Sequence, residues 1–274
     1  MWEYPSIDPV ALAIGPLQIH WYGLMYLLAF LGGWLYGNLR AKKIEPWNSE
    51  MVSDLLFYVA MGVILGGRLG YILFYDLATY LENPLLVFKV WQGGMSFHGG
   101  LLGVTLAMVL FARKTKQNLF QVADFVAPLI PIGLLTGRIG NFINGELWGK
   151  VTDSPLGMAV YDPMLQTVVH KYPTQLLEAF LEGIVLFIIL LIYARKPRPP
   201  GSVAALFLVG YGSFRFIVEF WRMPDAQIGY LLWDWFTIGQ LLSTPMIIIG
   251  LGVMIWGAKQ AKTSSVSKKN MGKV

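Results

Sequence analysis

The stretch TQLLEAFLEGIVLFIILLIY, residues 174–193, is the clearest structural signal in the chain. It carries only two charged residues, Glu178 and Glu182, and the part after Glu182 is almost continuously apolar. The two acids share one helical face, and we interpret them as partners for arginines rather than as catalytic acids. A helix needs roughly 20 such residues to cross the hydrocarbon core of a bilayer. The stretch therefore predicts a transmembrane helix.

The composition of the whole chain agrees with a membrane protein. Of its 274 residues 55% are hydrophobic and 14% are charged, whereas an ordinary soluble domain carries about a quarter charged residues. This deficit argues against soluble enzymes, disordered proteins and nucleic-acid modules, despite a net charge of +5. The absence of Cys excludes disulfides, thiolate metal sites and a Cys nucleophile. The first residues lack a basic segment, which argues against a cleaved signal peptide.

Seven windows are long and apolar enough to span a membrane. They cover residues 17–37, 52–75, 96–112, 121–137, 174–193, 203–220 and 235–257. In the fourth window we expect Pro128 and Pro131 to kink the helix, because proline removes a backbone donor. The sequence thus predicts an all-α polytopic membrane protein with seven transmembrane helices.

The basic residues give the direction of these spans. Alternate connections and the C-terminus hold 14 of the 21 Lys and Arg residues, and the opposite side holds five. Since cytoplasmic loops collect basic residues, the N-terminus is predicted outside and the C-terminus in the cytoplasm. We expect one seven-helix domain over residues 1–258, with an outside insertion at about 138–173 forming a head region. Residues 259–274 are predicted to be a disordered basic cytoplasmic tail.

Polar side chains collect at one depth of the predicted bundle. Arg68, Arg138 and Arg215 fall near the outer ends of three spans, and His98 and Tyr22 open two others. Charged residues inside a membrane are costly and are candidates for function. We therefore place the chemistry at the outer membrane–water boundary.

Arg215 lies on one helical face with Tyr211, Glu219 and Arg222. One interpretation is an Arg215–Glu219 pair that merely neutralises a packed face. The other is a guanidinium that binds a phosphate and is oriented by Glu219, because the donor fork of Arg matches phosphate oxygens.

The segment GRIGNFINGELWG, residues 137–149, is the densest polar run near a span end. Arg138, Asn141, Asn144 and Glu146, interspersed with glycines, can bring donors close to an anionic head group. The alternative is a structural re-entrant turn.

Three further residues have two interpretations each. His98, between glycine pairs, is either a structural histidine or a general base. Tyr22, in the run HWYG, is either an interfacial anchor or a head-group donor. Arg68 either faces the cavity or extends its side chain outward. The three His residues are separated and form no metal motif, so we expect no metal and no cofactor.

Several blocks together resemble the bacterial prolipoprotein diacylglyceryl transferases. The segment 137–149 agrees with the signature of that family, and the runs HWYG (20–23), GMSFHGG (94–100), YGSFR (211–215) and EFWR (219–222) resemble its other blocks. The run PTQL (173–176) followed by Glu178 also matches, with Leu177 departing from a Tyr that is common in the family. The resemblance covers nearly the whole chain.

The resemblance implies a multi-pass enzyme of the bacterial inner membrane whose active site faces the periplasm. Such enzymes transfer the diacylglyceryl group of phosphatidylglycerol to the lipobox cysteine of a prolipoprotein signal peptide, forming a thioether and releasing glycerol 1-phosphate. On this basis Arg138 and Arg215 are expected to hold the phosphate and His98 to act as the base for the thiol.

The remaining site residues have secondary roles in this interpretation. Tyr22, Asn141, Gly149 and Tyr211 are expected to contact the head group. The carboxylates of Glu146 and Glu219 are expected to position arginines. Asn144 and Arg68 are expected to support the site. Partners are expected to be the bilayer, phosphatidylglycerol and a prolipoprotein, with no nucleic acid, and the enzyme is expected to be a monomer. The competing interpretations are another lipid-phosphate transferase and a transporter or scramblase.

Overall fold

The computed structural model describes residues 2–15, 17–90, 93–163, 165–224 and 228–271, excluding the side chains of 17 and 261–271. Internal contacts divide the chain into two compact units, Met1–Gly33 with Asp124–Val274 and Trp34–Ala123. Most described residues are helical. The α-helices are α1 (Trp21–Ala41), α2 (Ser49–Tyr75), α3 (Leu77–Glu82), α4 (Phe97–Thr115), α5 (Leu119–Val126), α6 (Ile130–Ile143), α7 (Thr174–Glu178), α8 (Leu186–Tyr193), α9 (Ser202–Val218) and α10 (Ile238–Met271).

Three helical stretches of the described chain are long and apolar enough to cross a membrane, namely Ser49–Tyr75, Thr174–Tyr193 and Ile238–Gln260. Only 33% of the apolar window of the first two, and 17% of the third, is buried inside the protein. Since this apolar surface needs a non-aqueous environment, the chain is an integral membrane protein. Helices α1 and α4 are 21 and 19 residues long but less apolar. Seven spans remain a prediction.

Helices α5 and α6 form a further candidate span that is bent by 44°. Pro128 lies in the break and Pro131 in the first turn of α6. The predicted kink is therefore confirmed, and its cause is the missing proline donors.

The stretch Thr174–Tyr193 is not a uniform α-helix. Between α7 and α8, residues Ala179–Val185 form a π-helix, in which the backbone is wound more widely. A helix of this kind rearranges the side chains on either side of it relative to a regular α-helix. Both carboxylates of the span, Glu178 and Glu182, lie at or within this segment.

In the unit Trp34–Ala123, α2 and α4 pack through glycines. A Cβ atom at Gly62 would lie 2.7 Å from the carbonyl oxygen of Gly103, and one at Gly66 would meet the backbone of Gly99 and Gly103. Such small residues let two membrane helices approach closely. Lys114 and the side chain of Asp54 pair at 2.9 Å across the same two helices.

In the other unit, a buried cluster joins the segment between α5 and α6 to α8 and α9. It consists of Ala127, Leu186, Leu190 and Val203. Beside it the carboxylate of Asp124 accepts hydrogen bonds from the backbone N–H groups of Gly201, Val203 and Ala204, at 2.7–2.9 Å. These bonds satisfy donors at the start of α9 that the helix itself leaves free.

The described chain also contains short strands, which the all-α prediction missed. β1 (Trp2–Glu3) pairs in parallel with β4 (Met158–Asp162), which pairs antiparallel with β5 (Thr167–Lys171). β2 (Val10–Ile14) pairs with β3 (Leu17–His20), and β6 (Tyr230–Leu232) with β7 (Phe236–Thr237). Each strand has at most five residues, too few for a reliable alternation of apolar and polar residues. The strands β4 and β5 lie in the predicted insertion at 138–173.

The last helix, α10, continues to Met271. That the tail from residue 259 is disordered stays a prediction; in the structure the backbone of residues 259–271 is helical. Their backbone continues the helix that includes the candidate span Ile238–Gln260.

Candidate functional site

Two of the predicted arginines meet at one buried carboxylate. Arg138 extends from α6 and Arg215 from α9, while Glu178 ends α7 and is fully buried. The Nε atom of Arg138 lies 3.0 Å from Oε2 of Glu178, and Nη1 of Arg215 donates to Oε1 at 2.8 Å. The shared carboxylate thus fixes two guanidinium groups from different helices beside each other.

Three more charged side chains complete this arginine–glutamate cluster, which we define as Arg138, Arg215, Arg222, Glu178, Glu182 and Glu219. Nη1 of Arg222 donates to Glu178 Oε1 at 3.0 Å. Oε2 of Glu219 lies 2.9 Å from Nη1 of Arg215 and 3.5 Å from Nε of Arg222. Oε2 of Glu182 lies 3.5 Å from Nη2 of Arg138. When all six are ionised, three positive charges balance three negative ones.

The carboxylates are enclosed and the guanidinium groups are partly open. Side-chain exposure is 0% for Glu178 and Glu182 and 5% for Glu219, against 17% for Arg138 and Arg215. The ion pairs of Arg215 use Nη1, and those of Arg138 use Nε and Nη2. Other N–H donors of both groups stay outside these pairs, so the arrangement can offer them to an anion.

Close packing of α6 against the π-helix brings Arg138 to Glu182. A Cβ atom at Gly183 would lie 2.7 Å from the Cβ of Leu135, which precedes Arg138 by one helical turn. The interpretation of Glu178 and Glu182 as partners for the arginines is confirmed by these ion pairs. Arg222 was placed on the helical face of Arg215 but was given no role in the site.

The loop after α6 is held together by hydrogen bonds between its own side chains. Oε1 of Glu146 accepts from Nδ2 of Asn141 at 2.9 Å and of Asn144 at 3.4 Å. Among the described residues Glu146 makes no ion pair with an arginine. The prediction that Glu146 positions an arginine is therefore wrong: its carboxylate positions the two amides.

The chain N-terminus supports the same loop. The Tyr4 hydroxyl donates to the carbonyl oxygens of Phe142 and Ile143, at 2.9 and 2.8 Å, at the end of α6. Burial raises the pKa of this hydroxyl, which favours the neutral donor form. Sequence reasoning did not identify Tyr4, because nothing in its surroundings in the sequence points to residues so far along the chain.

Gly149 connects this loop to Arg222. The two residues form an isolated antiparallel bridge, and the N–H of Gly149 donates to the carbonyl oxygen of Tyr172 at 2.8 Å. A Cβ atom at Gly149 would lie 2.5 Å from the carbonyl oxygen of Trp221. Backbone packing therefore explains why residue 149 is a glycine. The contact of Gly149 with the lipid head group stays a prediction.

The two predicted tyrosines lie beside the arginine-bearing helices. The Tyr22 ring packs closely on Gly140, which precedes Asn141. A Cβ atom at Gly140 would lie only 3.0 Å from this ring. Tyr211 stacks on Phe207 with ring centroids 5.7 Å apart and precedes Arg215 by one turn of α9.

Arg68 belongs to the other unit and has a structural explanation. Its buried guanidinium donates to backbone carbonyl oxygens of Leu86, Val87, Lys89, Gly93 and Gly94 at 2.5–3.2 Å. Its carbon Cζ also lies 5.1 Å from the centre of the Tyr80 ring. With five N–H donors and five acceptors, the side chain organises the connection before α4.

His98 lies in the first turn of α4 in that same unit. The ring is in edge contact with Phe97, with centroids 5.6 Å apart, and the residue is exposed. Ser96 caps the helix by accepting a hydrogen bond from the N–H of Gly99.

Among the described residues no group of three or more His, Asp or Glu side chains is arranged to hold a metal ion.

Comparison with known proteins gives consistent matches. The sequence model of the family described as prolipoprotein diacylglyceryl transferase matches residues 9–256. A phosphatidylglycerol–prolipoprotein diacylglyceryl transferase of Hydrogenovibrio crunogenus is 67% identical over 93% of the chain and 96% of that relative. Proteins of the same name from Pseudomonas syringae and Pseudomonas paraeruginosa are 58% and 56% identical, covering 97% and 95% of the chain and 98% and 97% of the relatives.

Proposed function

The chain belongs to the prolipoprotein diacylglyceryl transferase family, and from this membership we propose that it transfers diacylglyceryl groups to prolipoproteins. The donor is phosphatidylglycerol and the acceptor is the thiol of the lipobox cysteine. A bond forms between sulfur and the glyceryl carbon, the bond from that carbon to the phosphate oxygen breaks, and glycerol 1-phosphate leaves.

The observation that carries the site assignment is the meeting of Arg138 and Arg215 at Glu178. Both guanidinium groups are partly exposed and have N–H donors outside their ion pairs. A phosphodiester has one negative charge and two unesterified oxygens, which suits a pair of arginine forks. As the carbon–oxygen bond breaks, negative charge grows on the phosphate, and a fixed positive environment stabilises that change.

The other residues have supporting roles in this proposal. Tyr22, Asn141 and Tyr211 orient the glycerol head group, and Asn144 with Glu146 holds Asn141 in place. Glu219 orients Arg215 by its contact at 2.9 Å. A free thiol has a pKa of about 8.5, so its attack at neutral pH needs a base, for which His98 is our candidate.

The finer topology is also part of the proposal. Seven spans would place the N-terminus and the arginine cluster on the periplasmic side of the bacterial inner membrane. The alternation of basic residues supports this orientation. Labelling of a Thr115→Cys variant tests it, since a maleimide should react only from the cytoplasmic side and external labelling would reverse the assignment.

The decisive experiment incubates the purified protein with labelled phosphatidylglycerol and a lipobox peptide. We expect a labelled peptide and free glycerol 1-phosphate, and no labelling of a matched peptide in which Ser replaces the lipobox cysteine. Flipping of the lipid without peptide labelling would indicate a scramblase. Transfer from another phospholipid alone would indicate a different lipid-phosphate transferase.

A further inference from the structure

Glu182 is the least compensated carboxylate of the arginine–glutamate cluster. The residue is fully buried, and among the described residues neither of its oxygens accepts a hydrogen bond. In the part of the chain that the structure describes, its one ion pair is the 3.5 Å contact with Nη2 of Arg138. A buried charge with so little compensation is costly.

The two other carboxylates have closer contacts with positively charged groups. Glu178 contacts three guanidinium groups at 2.8–3.0 Å. Glu219 lies 2.9 Å from Arg215 and also packs against the first turn of α10, because a Cβ atom at Gly239 would lie 2.6 Å from its carboxyl carbon. The start of a helix carries partial positive charge, which favours an anion there.

Substrate entry changes the charge balance of this enclosed site. The six ionised side chains are neutral as a set, so the phosphodiester anion of the proposed substrate would leave a net charge of −1. An excess charge in a site of low polarity is unfavourable. One proton on one carboxylate restores neutrality.

We propose that Glu182 takes up one proton from solution when the phosphodiester anion binds between Arg138 and Arg215. The proton neutralises the Glu182 carboxylate and also releases Arg138 from its 3.5 Å contact, so that its Nη2 can turn to the phosphate. No bond of the lipid breaks in this step. The inference rests on the proposed function, because it takes phosphatidylglycerol as the anion.

The groups that face Glu182 are consistent with this role. Arg138 approaches from α6, and Arg215 and Tyr211 approach from α9. Glu178 ends α7, one turn before Glu182. The adjoining helix α8, LFIILLIY, has no ionisable side chain other than Tyr193. The negative charges of Glu178 and Glu182 repel each other equally. The proton therefore goes to the carboxylate with the weaker contacts, which is Glu182 with its 3.5 Å contact, and not to Glu178 with three contacts at 2.8–3.0 Å.

The test measures binding of phosphatidylglycerol with a brominated acyl chain to the full protein in phosphatidylcholine nanodiscs, by quenching of tryptophan fluorescence between pH 5.5 and 8.5. The phosphodiester keeps its single charge across this range. We expect affinity to fall as pH rises, approaching tenfold per unit at the alkaline end, because binding is linked to uptake of one proton.

Two variants of the same residue separate protonation from packing. Glu182→Gln, which is neutral at every pH, should bind with unchanged affinity across the range, whereas Glu182→Asp should keep the slope. Glu82→Gln, the same change at an exposed residue outside the cluster, should behave like the wild type. A pH slope that persists in Glu182→Gln would overturn the inference.

Direct proton counting on the wild-type protein needs no variant. In a weakly buffered solution containing a pH indicator, one proton should disappear per phosphatidylglycerol bound, and none with added phosphatidylcholine. Binding without proton uptake would refute the inference while leaving the proposed function intact. If Arg138→Ala bound phosphatidylglycerol as tightly as the wild type, the proposed phosphate site itself would be wrong.

Discussion

Glu178→Gln should lower the stability of the protein strongly, although the amide has nearly the same shape as the carboxylate. The amide replaces a fully buried carboxylate that three arginines contact at 2.8–3.0 Å. Three partly buried positive charges would then face Glu182 and Glu219 as the remaining acids of the cluster. Breaking a buried ion pair by removing one partner costs about 3–5 kcal/mol, and we expect a loss at the upper end of that range because three contacts weaken together.

Thermal unfolding in detergent, followed by tryptophan fluorescence, checks this expectation. For a chain of this size about 1 kcal/mol shifts the midpoint by roughly 2–4 °C, so the midpoint should fall by on the order of 10 °C. The matched control is Glu182→Gln, which loses only one contact of 3.5 Å and should shift the midpoint much less. Equal shifts for the two variants would refute the idea that Glu178 is the shared anchor.

The other predictions concern single side chains. Arg138→Ala should lower transfer by about 10²–10³-fold, because a charge-stabilising donor is lost; full activity in the peptide assay would reject the phosphate site. Arg215→Lys should stay well below the wild type, since a point charge lacks the two-pronged fork, and equal kcat/KM would count against bidentate binding. His98→Gln should flatten the pH–rate profile near neutrality if the imidazole is the base; an unchanged profile would assign the base elsewhere. Gly66→Ala should destabilise the protein by about 1–3 kcal/mol, because its methyl group meets the backbone of α4, and a midpoint like that of the wild type would contradict this packing.

Hydropathy predicted the long helices well. The window at 174–193 coincides with the observed stretch Thr174–Tyr193, and the window at 52–75 differs from α2 by three residues. An apolar run that must be helical to satisfy its backbone in lipid leaves few alternatives. The bend between α5 and α6 could also be predicted from the sequence, because proline changes the backbone at its own position in the chain.

What the sequence did not reveal depends on contacts between distant residues. The five acceptors of Arg68 are backbone carbonyls, which leave no signature in side-chain identity. The π-helix at Ala179–Val185 lies inside the apolar stretch 174–193, whose sequence predicts a regular α-helix. The charges of Arg138, Arg215 and Glu178 were visible, but their distances depend on how three separate helices pack.

The bridging carboxylate makes its cationic neighbours dependent on one another. Glu178 contacts three arginines, Arg138, Arg215 and Arg222. Substitution of any one of these four residues therefore changes the charge and the contacts around the other three. Their effects should therefore not add: a doubly substituted protein should lose less than the sum of its single losses. Evolutionary substitutions at these positions would therefore have to occur together. An engineer who wished to change the lipid specificity of the enzyme would need to redesign the whole arginine–glutamate cluster in one step.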